Sequence, residues 1–299
     1  MPSVPEPRPL PRFLVPTLIA VLCLIWGSTW WAIRICLEGQ PPLWSAALRF
    51  ALAGGVMALG TPLLRRIDTK PPPPPWLWLT TGFGSFAGSY GILYVAEQHV
   101  PSGIAAVLWA IFPLLMAASG VFVLGEKLAA RQVAGFVVSF LGIVAMFAGD
   151  LGGGAGLLGP ALLLLCSPVV SAVSTTLVKK HGGTTSSVLM NRNGMLFGAL
   201  LLAAAAWLRE DPAAIRWSWS GSAALVYLAV VGTACSFGTY FWLLQRVPAS
   251  RLALVSYVTP VLAMLLAEFV GDGRADVFAW CGTGAVVAGI ALVVTRRKQ

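Results

Sequence analysis

Seven residues could hold a guest molecule within an apolar setting: Trp26, Tyr90, Trp109, Phe237, Tyr240, Ser256 and Tyr257. Rings gathered around a pocket suit an aromatic or bulky apolar body, and a tyrosine or serine hydroxyl can orient its polar end. Ordinary packing between helices uses the same rings. Pro113 and Pro260 offer a second kind of chemistry. A proline inside a helix has no N–H to give and kinks the chain, which frees the carbonyl four residues earlier. Those carbonyls belong to Trp109 and Ser256. They could bind an ammonium group or loosen a gate, or be satisfied by a neighbouring helix.

Bond-making chemistry finds no foothold. There is no Walker loop, no His-Glu-x-x-His and no Gly-x-Ser-x-Gly. The two histidines, His99 and His181, fall outside the apolar stretches. The five cysteines (Cys23, Cys36, Cys166, Cys235, Cys281) are odd in number and contain no Cys-x-x-Cys pair. They read as apolar fillers, neither disulfides nor metal ligands. No catalytic residue, cofactor or metal is expected, and the chain is not read as an enzyme.

The elements that must position the seven residues are set by composition. Of 299 residues, 58% are hydrophobic and 10% charged, whereas a soluble domain is about 25% charged. Ten apolar stretches follow one another, at roughly 14–36, 43–64, 76–97, 102–124, 131–148, 157–178, 186–207, 218–244, 249–270 and 276–295. Most are close to the ~20 residues that cross a ~30 Å hydrocarbon core as a helix. None alternates polar with apolar residues as a barrel strand does, and in lipid only helices or closed barrels satisfy the backbone. The expected fold is an all-α integral membrane protein of ten transmembrane helices.

The net charge of +9 suggests nucleic acid until the charges are placed. With the N-terminus cytoplasmic, four of the 20 Lys and Arg fall in outer loops (Arg34, Arg209, Arg216, Arg274), and Arg49 and Arg192 lie inside helices. The other 14 are cytoplasmic. That bias predicts both termini inside by the positive-inside rule. The charge is topological, and no nucleic-acid partner is expected. The first stretch is too long, and too rich in tryptophan at its end, for a cleaved signal peptide.

Slid against itself, the sequence matches at a shift of 147 residues. Ser89 meets Ser236, Gly91 meets Gly238, and Gln98-His99-Val100-Pro101 meets Gln245-Arg246-Val247-Pro248. Pro113 then meets Pro260, Gly135 meets Gly282, and Gly142-Ile143 meets Gly289-Ile290. A duplicated five-helix unit follows: residues 1–149, a glycine-rich linker 150–156, and residues 157–299. Five is odd, so the second copy enters the membrane inverted. Inverted repeats place a solute site near the midplane between the copies and lend themselves to alternating access. A duplicated scaffold without that role is the plainer alternative.

Other features divide between packing and function. Trp30, Trp31, Trp44, Trp76, Trp78, Trp207, Trp217, Trp219 and Trp280 lie near helix ends, as an interfacial belt requires. Gly82, Gly84, Gly88 and Gly91 in helix 3, and Gly232, Ser236 and Gly238 in helix 8, let helices approach closely and slide. Arg49 and Arg192 lie one to two turns inside their helices, where they are expected to snorkel to the interface. Glu268 is expected to do the same. Pro71 to Pro75 read as a stiff loop. No Asp, Glu, Lys or His falls mid-span, which points to a facilitator or exchanger without a buried proton relay.

Several motifs together resemble the drug/metabolite transporter superfamily, in its EamA-type family. They are Trp26-Gly27-Ser28-Thr29-Trp30, Arg49-Phe50, Tyr94-Val95-Ala96-Glu97-Gln98-His99-Val100-Pro101-Ser102-Gly103, Phe112-Pro113-Leu114 and Leu124-Gly125-Glu126-Lys127-Leu128. The chain looks most like the aromatic amino acid exporters of the YddG type. The resemblance implies a ten-helix basket, a central cavity and export of amino acids or related metabolites. One departure concerns the Gly-Glu pair after helix 4, which the family often repeats after helix 9. Here the equivalent of Glu126 is Gly273, beside Asp272, so Glu126 is read as a loop anchor.

These readings predict a monomeric exporter in a bacterial inner membrane. Its partners are the lipid bilayer and a small-molecule substrate, an aromatic or bulky apolar amino acid. Trp26, Tyr90, Trp109, Phe237, Tyr240, Ser256 and Tyr257 would bind it, and Pro113 and Pro260 would supply kinks for gating. Export of another metabolite or drug, nucleobase-like or cationic, is the first rival. An intramembrane lipid-modifying enzyme is the rival from a different class.

Overall fold

The computed structural model describes residues 13–100, 105, 108–146, 155–270 and 277–294. These form helices and connecting turns, with no strand among the described residues. We number the helices α1 (Leu14–Leu37), α2 (Pro42–Leu64), α3 (75–97), α4 (Phe112–Phe122), α5 (Ala130–Met146), α6 (Ala155–His181), α7 (Ser187–Arg209), α8 (Trp219–Leu244), α9 (Val255–Val270, preceded by the single turn Ala249–Leu252) and α10 (Val277–Val294).

The helices begin where the sequence supplies a start. Pro42 opens α2 and Pro75 opens α3, where a missing N–H costs nothing. Ser186 and Ser218 cap α7 and α8 through hydroxyls that accept from Leu189 N and Gly221 N. α1, α2, α6, α7 and α8 are each long and apolar enough to cross a membrane. Their outer faces carry exposed Leu24, Leu59, Leu63, Leu158, Leu200 and Val226. This apolar exterior is what lipid demands and water would not tolerate.

The inversion is visible in how α5 crosses α10. Gly135 faces the Gly289 carbonyl, where an added Cβ would stand 2.5 Å from that oxygen, and Gly142 faces the Gly282 carbonyl at 2.7 Å. Gly282 and Gly289 are the repeat equivalents of Gly135 and Gly142. Each glycine thus meets the equivalent of the other, which requires antiparallel helices related by a two-fold axis across them. Ser139, at the crossing, donates to the carbonyl of its own equivalent, Val286, at 3.2 Å. The same symmetry recurs elsewhere. α1 packs on α8 and α9, as α6 packs on α3 and α4. α2 pairs with α7, and Gly54 admits Leu196. Asp68 Oδ2 accepts from Ser186 Oγ and Val188 N at the start of α7, and Glu210 accepts from Leu43 N and Trp44 N at the start of α2.

α3 and α8 each contain a wide π-helical segment, Gly82–Gly88 and Val230–Cys235. Both segments end at equivalent residues, Gly88 and Cys235. Such bulges loosen the backbone ladder and recur at functional places.

Four expectations need correction or restriction. Helices 4 and 9 are not single smooth spans. A turn at Ala110–Ile111 precedes α4, placing Pro113 at its second residue, and a turn at Ala253–Leu254 precedes α9. Ala155 and Gly156 of the supposed linker form the first turn of α6, and the rest of that linker lies outside the described residues. Asp272, Gly273 and the side chain of Glu268 also lie outside them.

Candidate functional site

A cavity lies between the repeats and draws on three helices or their leading turns from each. α1 gives Trp26, Thr29, Trp30 and Ile33; α3 gives Ser85, Tyr90 and Leu93; α4 and its preceding turn give Phe112 and Trp109. From the second repeat, α6 gives Ser171 and Thr175, α8 gives Phe237, Tyr240 and Phe241, and α9 gives Ser256 and Thr259. These are the equivalent helices of the two copies. The cavity is narrow as its side chains stand, with a free volume of about 70 Å³. None of the lining side chains among the described residues carries a charge.

The rings meet edge to face or tilted. Trp26 lies 5.3 Å from Phe237 and 5.2 Å from Tyr240, and Tyr90 lies 6.1 Å from Phe237. On the opposite wall Trp109 tilts over Phe112 at 5.0 Å. Several polar atoms of the lining are already engaged. Trp109 Nε1 donates to Ser167 Oγ at 3.0 Å, Ser85 Oγ donates to Ser174 Oγ at 2.8 Å, and Thr29 Oγ1 donates to the Trp26 carbonyl. Two buried polar atoms of the described lining have no partner: Trp26 Nε1 and Tyr240 Oη.

Six of the seven residues singled out from sequence come together here. Tyr257 does not. It is fully buried against α5, and its hydroxyl donates to the Phe136 carbonyl at 2.9 Å, so it braces α9 on α5. The Ser256 carbonyl left without an N–H by Pro260 accepts instead from Thr259 Oγ1 at 3.2 Å. Trp30, placed in the interfacial belt by its position, is 9% exposed and lines the cavity. Trp31, Trp76, Trp207, Trp217, Trp219 and Trp280 do stand exposed.

Arg49 departs furthest from expectation. It does not snorkel; it is 1% exposed. Nε donates to Thr233 Oγ1 at 2.7 Å, Nη1 to Tyr94 Oη at 3.2 Å and Nη2 to the Gly232 carbonyl at 3.3 Å. Gly232 and Thr233 belong to the wide segment of α8, so Arg49 ties the first repeat to the bulge of the second. The guanidinium also lies 4.9 Å from the Tyr90 ring centroid. Sequence position alone gave a plausible route to the interface. The signal against it was the bulge acceptor, which periodicity does not reveal.

Polar ties gather at the ends that sequence assigns to the cytoplasm. Glu126 accepts from Ala249 N and Ser250 Oγ, anchoring the start of α9. Lys70 donates to the Gly183 carbonyl and Gln245 Oε1, and Lys179 to the Leu244 and Val247 carbonyls. Partial burial, with Arg246 nearby, holds the Lys70 ammonium below its ordinary titration range.

The EamA-like transporter family model matches the chain twice, over residues 14–148 and 158–295. The uncharacterized inner membrane transporter YedA of Escherichia coli K12 is 32% identical over 286 residues, 94% of this chain and 92% of that protein. The uncharacterized transporter YvbV of Bacillus subtilis is 24% identical over 97% of this chain and 95% of its own. Protein PagO of Salmonella typhimurium is 25% identical over 85% and 84%. A solved crystal structure shares the fold with a TM-score of 0.80 at 22% identity, over 95% of this chain and 97% of the other. With two copies of one unit covering nearly its whole length, this chain is a membrane transporter that belongs to the EamA-like family.

Proposed function

We propose that the protein exports aromatic or other bulky apolar amino acids across a bacterial inner membrane, with both termini cytoplasmic, and works as a monomer. The observation that carries this reading is the ring-lined cavity between equivalent helices of the two repeats. Trp26, Tyr90, Trp109, Phe237 and Tyr240 offer faces and edges for an aromatic side chain, and Ser256 and Tyr240 offer groups for its polar end. Movement follows alternating access, with the repeats exchanging shapes about the fixed site. The uncharged lining supports a facilitator or exchanger, since a proton relay calls for a titratable group in the path.

The test is flux of radiolabelled phenylalanine in liposomes holding the purified protein. Counterflow above empty liposomes is expected. Trp26→Ala should lower it at least tenfold, while Trp219→Ala, on the exposed surface, should leave it within twofold. Equal loss at both positions would remove the cavity from the argument.

A further inference from the structure

We infer that the cavity selects solutes bearing a carboxylate beside their aromatic or apolar body, and rejects aromatic cations. This rests on the transport reading above and narrows its substrate.

The first observation is the charge behind the wall. An arginine stays protonated in proteins, and Arg49 is buried with three hydrogen bonds to neutral acceptors. Among the described residues no carboxylate forms an ion pair with it. Glu97, at the end of α3, is near enough to feel its charge but does not touch it. Tyr90 lies between this cation and the cavity, stacked 4.9 Å from the guanidinium and lining the space beyond. A buried positive charge, with no carboxylate in direct contact and Glu97 nearby, thus stands about one ring thickness behind the site, where water is scarce. At an effective dielectric constant of about 20 and a separation of about 8 Å, a unit charge changes affinity about thirtyfold, for an anion upward and for a cation downward.

The second observation is independent of the first. An indole N–H can only donate, and Trp26 Nε1 is buried without an acceptor. Tyr240 Oη, on a ring 5.2 Å away, is also unpartnered, on a side chain 3% exposed. An unmade hydrogen bond at such a depth is costly. A carboxylate can accept from either group. An ammonium group can donate to Tyr240 Oη but can accept from nothing, so it leaves the indole N–H orphaned.

The experiment uses purified wild-type protein in liposomes. Labelled phenylalanine, 3-phenylpropionate and phenethylamine are each followed directly, then each unlabelled compound is used to inhibit the flux that is seen. The two acids are expected to be carried, and to inhibit at concentrations at least tenfold below the amine. Transport of the amine at equal or greater rate overturns the inference while leaving the protein a transporter. No flux of any of the three overturns the proposed function together with it. Arg49→Gln should erase the preference for acid over amine, and Arg49→Lys should keep it. Should Arg49→Gln fail to fold, Trp26→Phe carries the same question. It should weaken inhibition by 3-phenylpropionate severalfold more than inhibition by phenethylamine, and equal effects on both compounds count against the proposal.

Discussion

Removing one hydroxyl separates two duties that tyrosines perform in this molecule. Tyr257 Oη donates to the Phe136 carbonyl, far from the cavity. Tyr257→Phe is expected to cost about 1 kcal/mol of stability, read as a lower melting temperature, with phenylalanine flux intact. A fall in flux at unchanged stability would return Tyr257 to the site. From the sequence Tyr240 and Tyr257 are alike, both aromatic and both deep in apolar spans. Only the facing element tells them apart, cavity in one case and α5 in the other. Trp30 was misplaced for the same reason, because distance from a helix end does not say which way a ring faces. Trp26, Tyr90, Trp109 and Phe237 were legible because a large ring in the middle of a polar-poor span has few other uses.

Helix pairs rest on surfaces that sequence shows only as small residues. The glycines of α5 and α10 place one backbone against the other, whereas Gly284, on the same helix as Gly289, has open space beside it. Gly142→Val should therefore force the pair apart and destabilise by about 1–3 kcal/mol or more, while Gly284→Val should be nearly silent. Thermal unfolding followed in detergent distinguishes them, and similar losses would mean the close crossing is not what holds the pair. The existence and order of the ten helices were readable from apolar run length alone. Their interruptions were not. The turns before α4 and α9 and the wide segments of α3 and α8 depend on hydrogen bonds made by other helices, such as that from Arg49 to the Gly232 carbonyl.

At the scale of the whole molecule the two-fold crossing makes an even number of passages a geometric necessity. Reporter fusions at residue 1 and residue 299 should report the same side of the membrane, the cytoplasmic one by the positive-inside rule. Opposite sides would break the pairing of repeats. The duplication was legible because many of the matching residues, from Ser89 to Gly142, are small residues and prolines, which close helix crossings and turns require in both copies. What it left hidden is that the copies are fastened unequally. Arg49 bonds the wide segment of α8, but Arg192, 143 positions on in α7, gives its Nε to neighbouring Asn193, and α3 is held instead by the hydroxyls of Ser85 and Ser174. Two perfect twins trading postures would leave a carrier idling equally at either face. Here the twins are not perfect, and under the alternating access proposed above the idle posture is set by a handful of mismatched bonds, so that levelling them should tip the balance of faces without redrawing a single span.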